Sequence, residues 1–233
     1  MSTSSAAPQV SAPRHDFAVV SSDDIYTGKV LAVRRDQVRM PAGGTSVREI
    51  MEHAGAVAIA ALDADDRLMM IYQYRHAVGR RLWEMPAGLL DQAGEDPLET
   101  ARRELAEEVG LAATEWSVLI DVTPSPGFSD ESVRVYLATG LTDIGRQGTI
   151  EHEEADLRVV RVPLATAVQA ALAGDIVNAS TVAGLLAAAI SVGVAPAPAQ
   201  VHLRPGDDPW TDTAAVRYDG PGAAHAPALP TGG

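Results

Sequence analysis

The sequence predicts a mixed α/β domain preceded by an N-terminal antiparallel strand region. Three observations carry this. Segments of strand character, bounded by turn residues, lie before and after one sharply delimited helix that spans Pro97 to Val109. Two apolar, alanine-rich helical segments follow near the end of the chain. Strands on both sides of a central helix, with further helices behind them, suit helices packed on a mixed sheet. The divisions read as a tail at residues 1–15, a strand region at 16–53, a main domain at 54–194 and a second tail at 195–233.

Taken in order, residues 1–15 are rich in Ser, Ala and Pro and lack the apolar content to hold a fold. Phe17–Ser21, Lys29–Met40 and Thr45–His53 read as strands, and Pro41 to Gly44 turns the chain between the last two. Ala54–Leu62 and Leu68–Tyr74 read as buried strands joined by a turn at Asp63 to Asp66. The second ends in a polar cluster containing Arg75, which is either a solvated strand end or a phosphate contact. Trp83 to Gly88 leads into the loop before the helix and brings the backbone carbonyls of Pro86 and Ala87 towards it. Beyond the helix, Trp116–Val122, Val133–Gly140 and Leu157–Val162 read as strands. Between the first two lies a Pro/Gly-bearing loop, Pro124 to Glu131, whose Ser129, Asp130 and Glu131 either bind a ligand or cap a turn. Glu151 to Glu154 forms an acidic cluster before the last strand. A helix begins at Pro163 and stops near Gly174, and Ser180–Val192 is the last. From Gly193 the chain is rich in Pro, Ala and Gly and reads as mostly mobile.

The central helix is legible because its ends are local. Asp96 suits the N-cap, Pro97 the first helical position, Glu99 the reciprocal capping-box position, and Gly110 the C-terminal stop. Leu98, Ala101, Leu105 and Val109 recur at spacings of three and four, which makes them the buried stripe. Glu104, Glu107 and Glu108 then share one flank, and Arg103 offsets part of their charge. Such a flank is either a solvated acidic face or a site for a hard cation. Mg²⁺ takes carboxylate oxygens, keeps waters and bridges to substrate phosphates.

Composition narrows the partners. A net charge of −13 opposes binding to nucleic acid or an anionic membrane by bulk electrostatics. The absence of cysteine excludes disulfides, thiolate metal sites and cysteine catalysis. The first residues are polar, with no basic start and no apolar core, unlike a signal peptide. Val182 to Val194 is apolar but too short to cross a bilayer. The expectation is a soluble cytoplasmic protein.

The pattern around the helix decides between the two readings of its acids. Gly88-x6-Glu95-x7-Arg103-Glu104-Leu105-x-Glu107-Glu108-x-Gly110-Leu111 resembles the Nudix box at nine fixed positions. It differs in having six residues, not five, between the first glycine and Glu95, an insertion that falls in a loop, where Asp91 could share the part of Glu95. The resemblance implies the Nudix fold, an α/β/α sandwich around a mixed sheet. It also implies Mg²⁺, with Mn²⁺ as the other candidate, and hydrolysis of a nucleoside diphosphate linked to another group. When held by carboxylates, Mg²⁺ neutralises diphosphate oxygens and lowers the pKa of bound water. By position, Glu104 and Glu108 match the main ligands, Glu107 a further or water-mediated one, and the carbonyl of Ala87 the main-chain ligand. Arg103 would orient the glutamates and Glu95 support them.

Outside the box, Tyr72 to His76, Leu82 to Leu89 and Pro126 to Glu131 resemble the ADP-ribose pyrophosphatases, the actinobacterial ones above all, whose His-Glu-Glu-Ala-Asp run is matched at His152 to Asp156. That branch implies ADP-ribose hydrolysis to AMP and ribose 5-phosphate. It implies a general base on a loop well after the box, here Glu154 with Glu153 second. It further implies a homodimer in which Arg48 and Glu49 reach the partner's site while Arg75 contacts the diphosphate. Ser129 and Glu131 complete the candidate substrate contacts. Two other readings compete: a Nudix pyrophosphohydrolase for nucleotide sugars, NADH or diadenosine polyphosphates, and a sensor that binds ADP-ribose without cleaving it. The intact Arg103, Glu104, Glu107 and Glu108, with no basic DNA-binding module after Val192, oppose the sensor.

Overall fold

The structure, a computed structural model, describes residues 16–148, 156–194 and 205. The expected tail at 1–15, nearly all of the tail at 195–233, and His152, Glu153 and Glu154 lie outside the described residues. The chain divides into two compact units, one built from the residues up to His53 together with Gly127–Asp130, the other from the remainder.

The first unit is an antiparallel meander of β1 (Val19–Thr27), β2 (Leu31–Arg39) and β3 (Thr45–His53), in the order β1-β2-β3. β1 starts later and runs further than Phe17–Ser21, straight through Ser21-Ser-Asp-Asp24. This strand is exposed along its whole length, so it carries no apolar alternation to announce it. Its register against β2, irregular between Val19 and Ser21 and between Asp24 and Tyr26, defines it instead. Asp36 is buried under Ser22, whose hydroxyl donates to it at 2.7 Å, and beside Arg34 at 3.2 Å. Those two partners, the hydroxyl first, hold its carboxyl below the usual carboxylate range. In the same unit Met51 donates to the Phe128 carbonyl at 2.7 Å and accepts from Asp130 N–H at 3.2 Å. Asp130 also accepts from His53 N–H at 2.9 Å, which ties its side chain to the end of β3.

The second unit holds two sheets. β4 (Ala56–Ala61) lies between β7 (Ala87–Leu89) and β9 (Val133–Asp143), with β8 (Leu111–Val122) at the edge, in the order β7-β4-β9-β8. β4 and β9 run parallel while the other pairs are antiparallel, so this sheet is mixed. The second sheet is β10 (Arg158–Pro163), β5 (Arg67–Arg75) and β6 (Arg80–Glu84), in the order β10-β5-β6. β6 and β7 were not anticipated: one has charges at its ends and the other contains a glycine, and both are strands because β5 and β4 pair with them.

Helices cover both faces of β4. Val57, Ile59 and Ala61 alternate onto one side and pack with Ala101 and Leu105 of α1 (Pro97–Val109). Ala58, Ala60 and Leu62 alternate onto the other and pack with Leu164 of α2 (Leu164–Ala173) and with Leu185 and Ala188 of α3 (Ala179–Val192). A strand covered on both faces reads as the continuous apolar run found here. Among the described residues no helix is long and apolar enough to cross a membrane.

Candidate functional site

The site begins with α1. Asp96 caps it, its side chain accepting from Leu98 N–H at 2.8 Å, and Pro97 opens it. Gly110 (φ 71°) closes it in the left-handed conformation that glycine adopts without strain. The capping box does not form. Glu99 turns to Arg102 instead, three residues on. Ala101 and Leu105 are fully buried, Leu98 and Val109 partly, which anchors the inner face. The chain also returns to seal the far end, with Gln147 N–H donating to the Ala106 carbonyl at 3.1 Å and Arg146 Nε to that of Glu107 at 3.1 Å.

Arg103 lies among the carboxylates. It donates to Glu104 at 2.7 Å, to Glu107 at 3.1 Å and to both oxygens of Glu95 at 3.3 and 3.2 Å. Thr100, fully buried, donates its hydroxyl to Glu95 at 2.8 Å. Arg103 first and Thr100 second hold the Glu95 carboxyl below the usual range. The same contacts, led by Glu95, push the Arg103 guanidinium above its already high value. The six-residue spacing after Gly88 is taken up in the loop before Pro97, where Asp91 to Gly94 are exposed, and Glu95 still reaches Arg103.

The second wall is a strap, Glu84 to Ala87, fixed on three sides. Met85 N–H donates to Thr181 Oγ1 of α3 at 3.1 Å, and Gly184 lets that helix close onto the Met85 side chain. The Pro86 carbonyl accepts from Ile59 N–H of β4 at 2.8 Å, and Ala87 N–H donates to Glu108 Oε2 at 2.9 Å. Glu108 is thus buried against the strap, only 7 % exposed. Gly88 comes next, and a Cβ there would run into the Glu104 carboxylate. The glycine of the box is therefore a cradle for that side chain. Gly88→Ala, whose backbone is unstrained, is expected to displace Glu104 and raise the Mg²⁺ concentration needed for half-maximal turnover about 10–100-fold at nearly constant thermal stability. A Mg²⁺ titration of turnover that matches the wild type would refute that placement.

The strap also explains Arg75. Glu84 is a buried carboxylate, 2 % exposed, that receives Arg75 Nε at 3.0 Å and Nη2 at 2.6 Å, together with the Gln73 amide at 3.1 Å. Sequence reasoning passed over Glu84. The available signal was a lone acid inside an apolar run, one hairpin away from an arginine. Arg75 is thus an oriented guanidinium on a fixed strand end.

Glu104, Glu107, Glu108, Arg103, Glu95 and the Ala87 peptide are brought together. Arg48, Glu49 and Ser129 belong to the first unit. Arg48 donates to Ser46 Oγ at 2.7 Å and the Val47 carbonyl at 2.8 Å, along its own strand. Glu49 is exposed opposite Arg35, and Ser129 is buried, bridging to Met51. Glu131 belongs to the second unit and is half-buried.

The donor set suits a hard cation in its chemistry, all carboxylate and peptide oxygen. Among the described residues no three acids converge on one point. Mg²⁺ does not require that, since it is held through one or two carboxylates with waters and substrate phosphates.

A model of the NUDIX domain family matches residues 51–181. The chain belongs to the NUDIX family. It is 55% identical over 199 residues to the ADP-ribose pyrophosphatase of Mycobacterium tuberculosis, covering 85% of this chain and 93% of that one. It is 38% identical over 135 residues to the methanol dehydrogenase activator of Bacillus methanolicus, covering 58% of this chain and 72% of that one. A crystal structure of an ADP compounds hydrolase superposes with a TM-score of 0.65 at 24% identity, over 76% of this chain and 94% of that one. The fold is the NUDIX α/β/α sandwich, as the box implied, with α1 as the box helix.

Proposed function

We propose that the chain is a NUDIX hydrolase that cleaves ADP-ribose, with water, to AMP and ribose 5-phosphate. The observation that carries this is the 55% identity to an ADP-ribose pyrophosphatase across 93% of that protein's length. The ordered carboxylates of α1 and the oriented Arg75 supply matching chemistry.

Glu104 and Glu108 would hold Mg²⁺, or Mn²⁺, with the Ala87 carbonyl as the main-chain ligand and Glu107 as a further or water-mediated one. Bound there, the ion neutralises diphosphate oxygens and makes water a better nucleophile. Arg103 keeps three mutually repelling acids at fixed distances. Arg75 binds the diphosphate, and its orientation by Glu84 lowers the entropy lost on binding. Glu154, or Glu153, takes the proton from the attacking water as the bridging P–O bond breaks. Ser129 and Glu131 contact the substrate. Residues 54–194 form the catalytic domain and 16–53 the dimerisation region of a cytoplasmic homodimer. Val19, Val20, Ile25 and Tyr26 of β1 are each more than half exposed, an apolar surface that a second copy would cover. Arg48 and Glu49 would act on the partner's substrate.

The test is product analysis with Mg²⁺, offering ADP-ribose, ADP-glucose, NADH and a diadenosine polyphosphate in parallel. AMP and ribose 5-phosphate chiefly from ADP-ribose is the expected result. Preference for another diphosphate would move the specificity and keep the chemistry. Binding of ADP-ribose with no hydrolysis of any compound would make the chain a sensor.

A further inference from the structure

The β5–β6 hairpin sets two arginines against each other. Arg75 and Arg80 are directly opposed in the antiparallel register, so both side chains leave the same face of the sheet. The turn imposes this pairing: His76–Val78 makes one 3-10 turn, and Gly79 (φ 65°) closes it with its N–H on the His76 carbonyl at 3.1 Å. Like charges opposed across a ladder destabilise it. Arg75 has its answer in Glu84, which is filled by Arg75 and Gln73. Arg80 does not share it. Its Nε is buried with no hydrogen-bond partner among the described residues. A buried donor left unpaired calls for an explanation, and an anion that draws the Arg80 side chain outward as it binds would supply one.

We propose that Arg80 is a second diphosphate-binding residue, acting with Arg75 as a guanidinium pair; this rests on the reading of the site as one for a nucleoside diphosphate. Position supports it. Glu84, which anchors Arg75, is three residues from Ala87, at most about 11 Å of extended chain. The Ala87 peptide is bonded to Glu108. Arg75 and the carboxylate flank therefore lie at the two ends of one strap, with Arg80 opposite Arg75 in the hairpin. A diphosphate diester carries two negative charges and would be repelled by the acids of α1 alone. Of the other cations, Arg103 is committed to Glu95, Glu104 and Glu107, and Arg81, on the opposite face beside Tyr74, to Asp156. Arg146 also has an unpaired buried nitrogen, Nη2, but its Nε is spent on the Glu107 carbonyl at the far end of α1. Two planar forks on one face match adjacent phosphoryl groups.

The test uses the full chain with Arg80→Gln and Arg80→Lys. Three quantities are read: kcat and KM for ADP-ribose with Mg²⁺, calorimetric binding of inorganic pyrophosphate in EDTA, and the midpoint of thermal unfolding. Arg80→Gln is expected to raise KM and weaken pyrophosphate binding roughly 10–100-fold, the range for a lost charge-assisted contact, with kcat within about threefold. Its unfolding midpoint stays or rises, because the opposed charges are gone. Arg80→Lys recovers only part of the affinity, since an ammonium does not fork. Unchanged KM with pyrophosphate binding equal in all proteins, or absent from all, overturns the proposal. So does a lowered midpoint with a matching loss of kcat, which would make Arg80 structural. Wild-type protein that binds pyrophosphate through Arg80 yet leaves ADP-ribose intact would sink the substrate assignment and keep the arginine pair.

Discussion

Glu108→Gln is expected to lower kcat by at least about 10²–10³-fold while the protein stays folded. The two halves of this result have separate causes. Glu108 sits on the last turn of α1, buried, with Oε2 accepting from Ala87 N–H at 2.9 Å. Glutamine has the same shape, and its amide oxygen accepts the same hydrogen bond. The apolar stripe at Ala101 and Leu105 is untouched, and one of three neighbouring negative charges disappears, so the unfolding midpoint should hold or rise slightly. What is lost is the charge a hard cation requires. Lewis-acid stabilisation of a phosphoryl transition state amounts to several kcal/mol, and about 3–4 kcal/mol corresponds to the stated factor. Glu107→Gln should be milder, because Glu107 is the most exposed of the three, with 36 % of its side chain accessible. Single-turnover rates against Mg²⁺ concentration, with circular dichroism on the same samples, decide the matter. An unfolded variant would assign Glu108 to packing, and near-normal turnover would leave the cation to Glu104 and Glu107.

How legible such a site is depends on how local its determinants are. α1 was readable to the residue because Asp96, Pro97 and Gly110 act within one turn of the helix ends, and its acids share a flank by helix geometry alone. β4 was readable from its apolar run, which cladding on both faces explains. The strap was not. Nothing in Trp83-Glu-Met-Pro-Ala87 states that Glu84 will be buried, because burial comes from α3 pressing on Met85 and from β5 bringing Gln73 and Arg75 alongside. Arg80 was invisible for the same reason, since its opposition to Arg75 exists only once the four-residue turn has closed. β1 was shortened in the reading because its Ser and Asp residues carry no strand signal and only pairing with β2 holds them extended. The box helix thus came from one-dimensional spacing. The groups proposed to orient substrate beside it depend on contacts between residues far apart in sequence.

The remaining large effect belongs to the base. Glu154→Gln is expected to reduce kcat by roughly 10²–10⁴-fold, the range for removing a positioned proton acceptor. Glu154 lies outside the described residues, but its flanks do not. A Cβ on Gly148 would stand 3.6 Å from Glu107 Cγ, so the chain leaves for this segment from beside the acidic helix. It resumes at Asp156, which is ion-paired with Arg81 of β6. In sequence, Glu154 is two residues from Asp156 and six from Gly148. A single general base predicts that the Glu153→Gln and Glu154→Gln variants differ sharply instead of sharing the loss. A base also leaves a signature that a structural residue does not: kcat/KM falls on the acid side of its pKa, and the variant lacking it loses that limb while its Mg²⁺ dependence stays that of the wild type. Loss of the acid limb in Glu154→Gln alone assigns the proton transfer to Glu154. The same loss in Glu153→Gln moves it by one residue, and a limb that survives in both takes the base out of this segment.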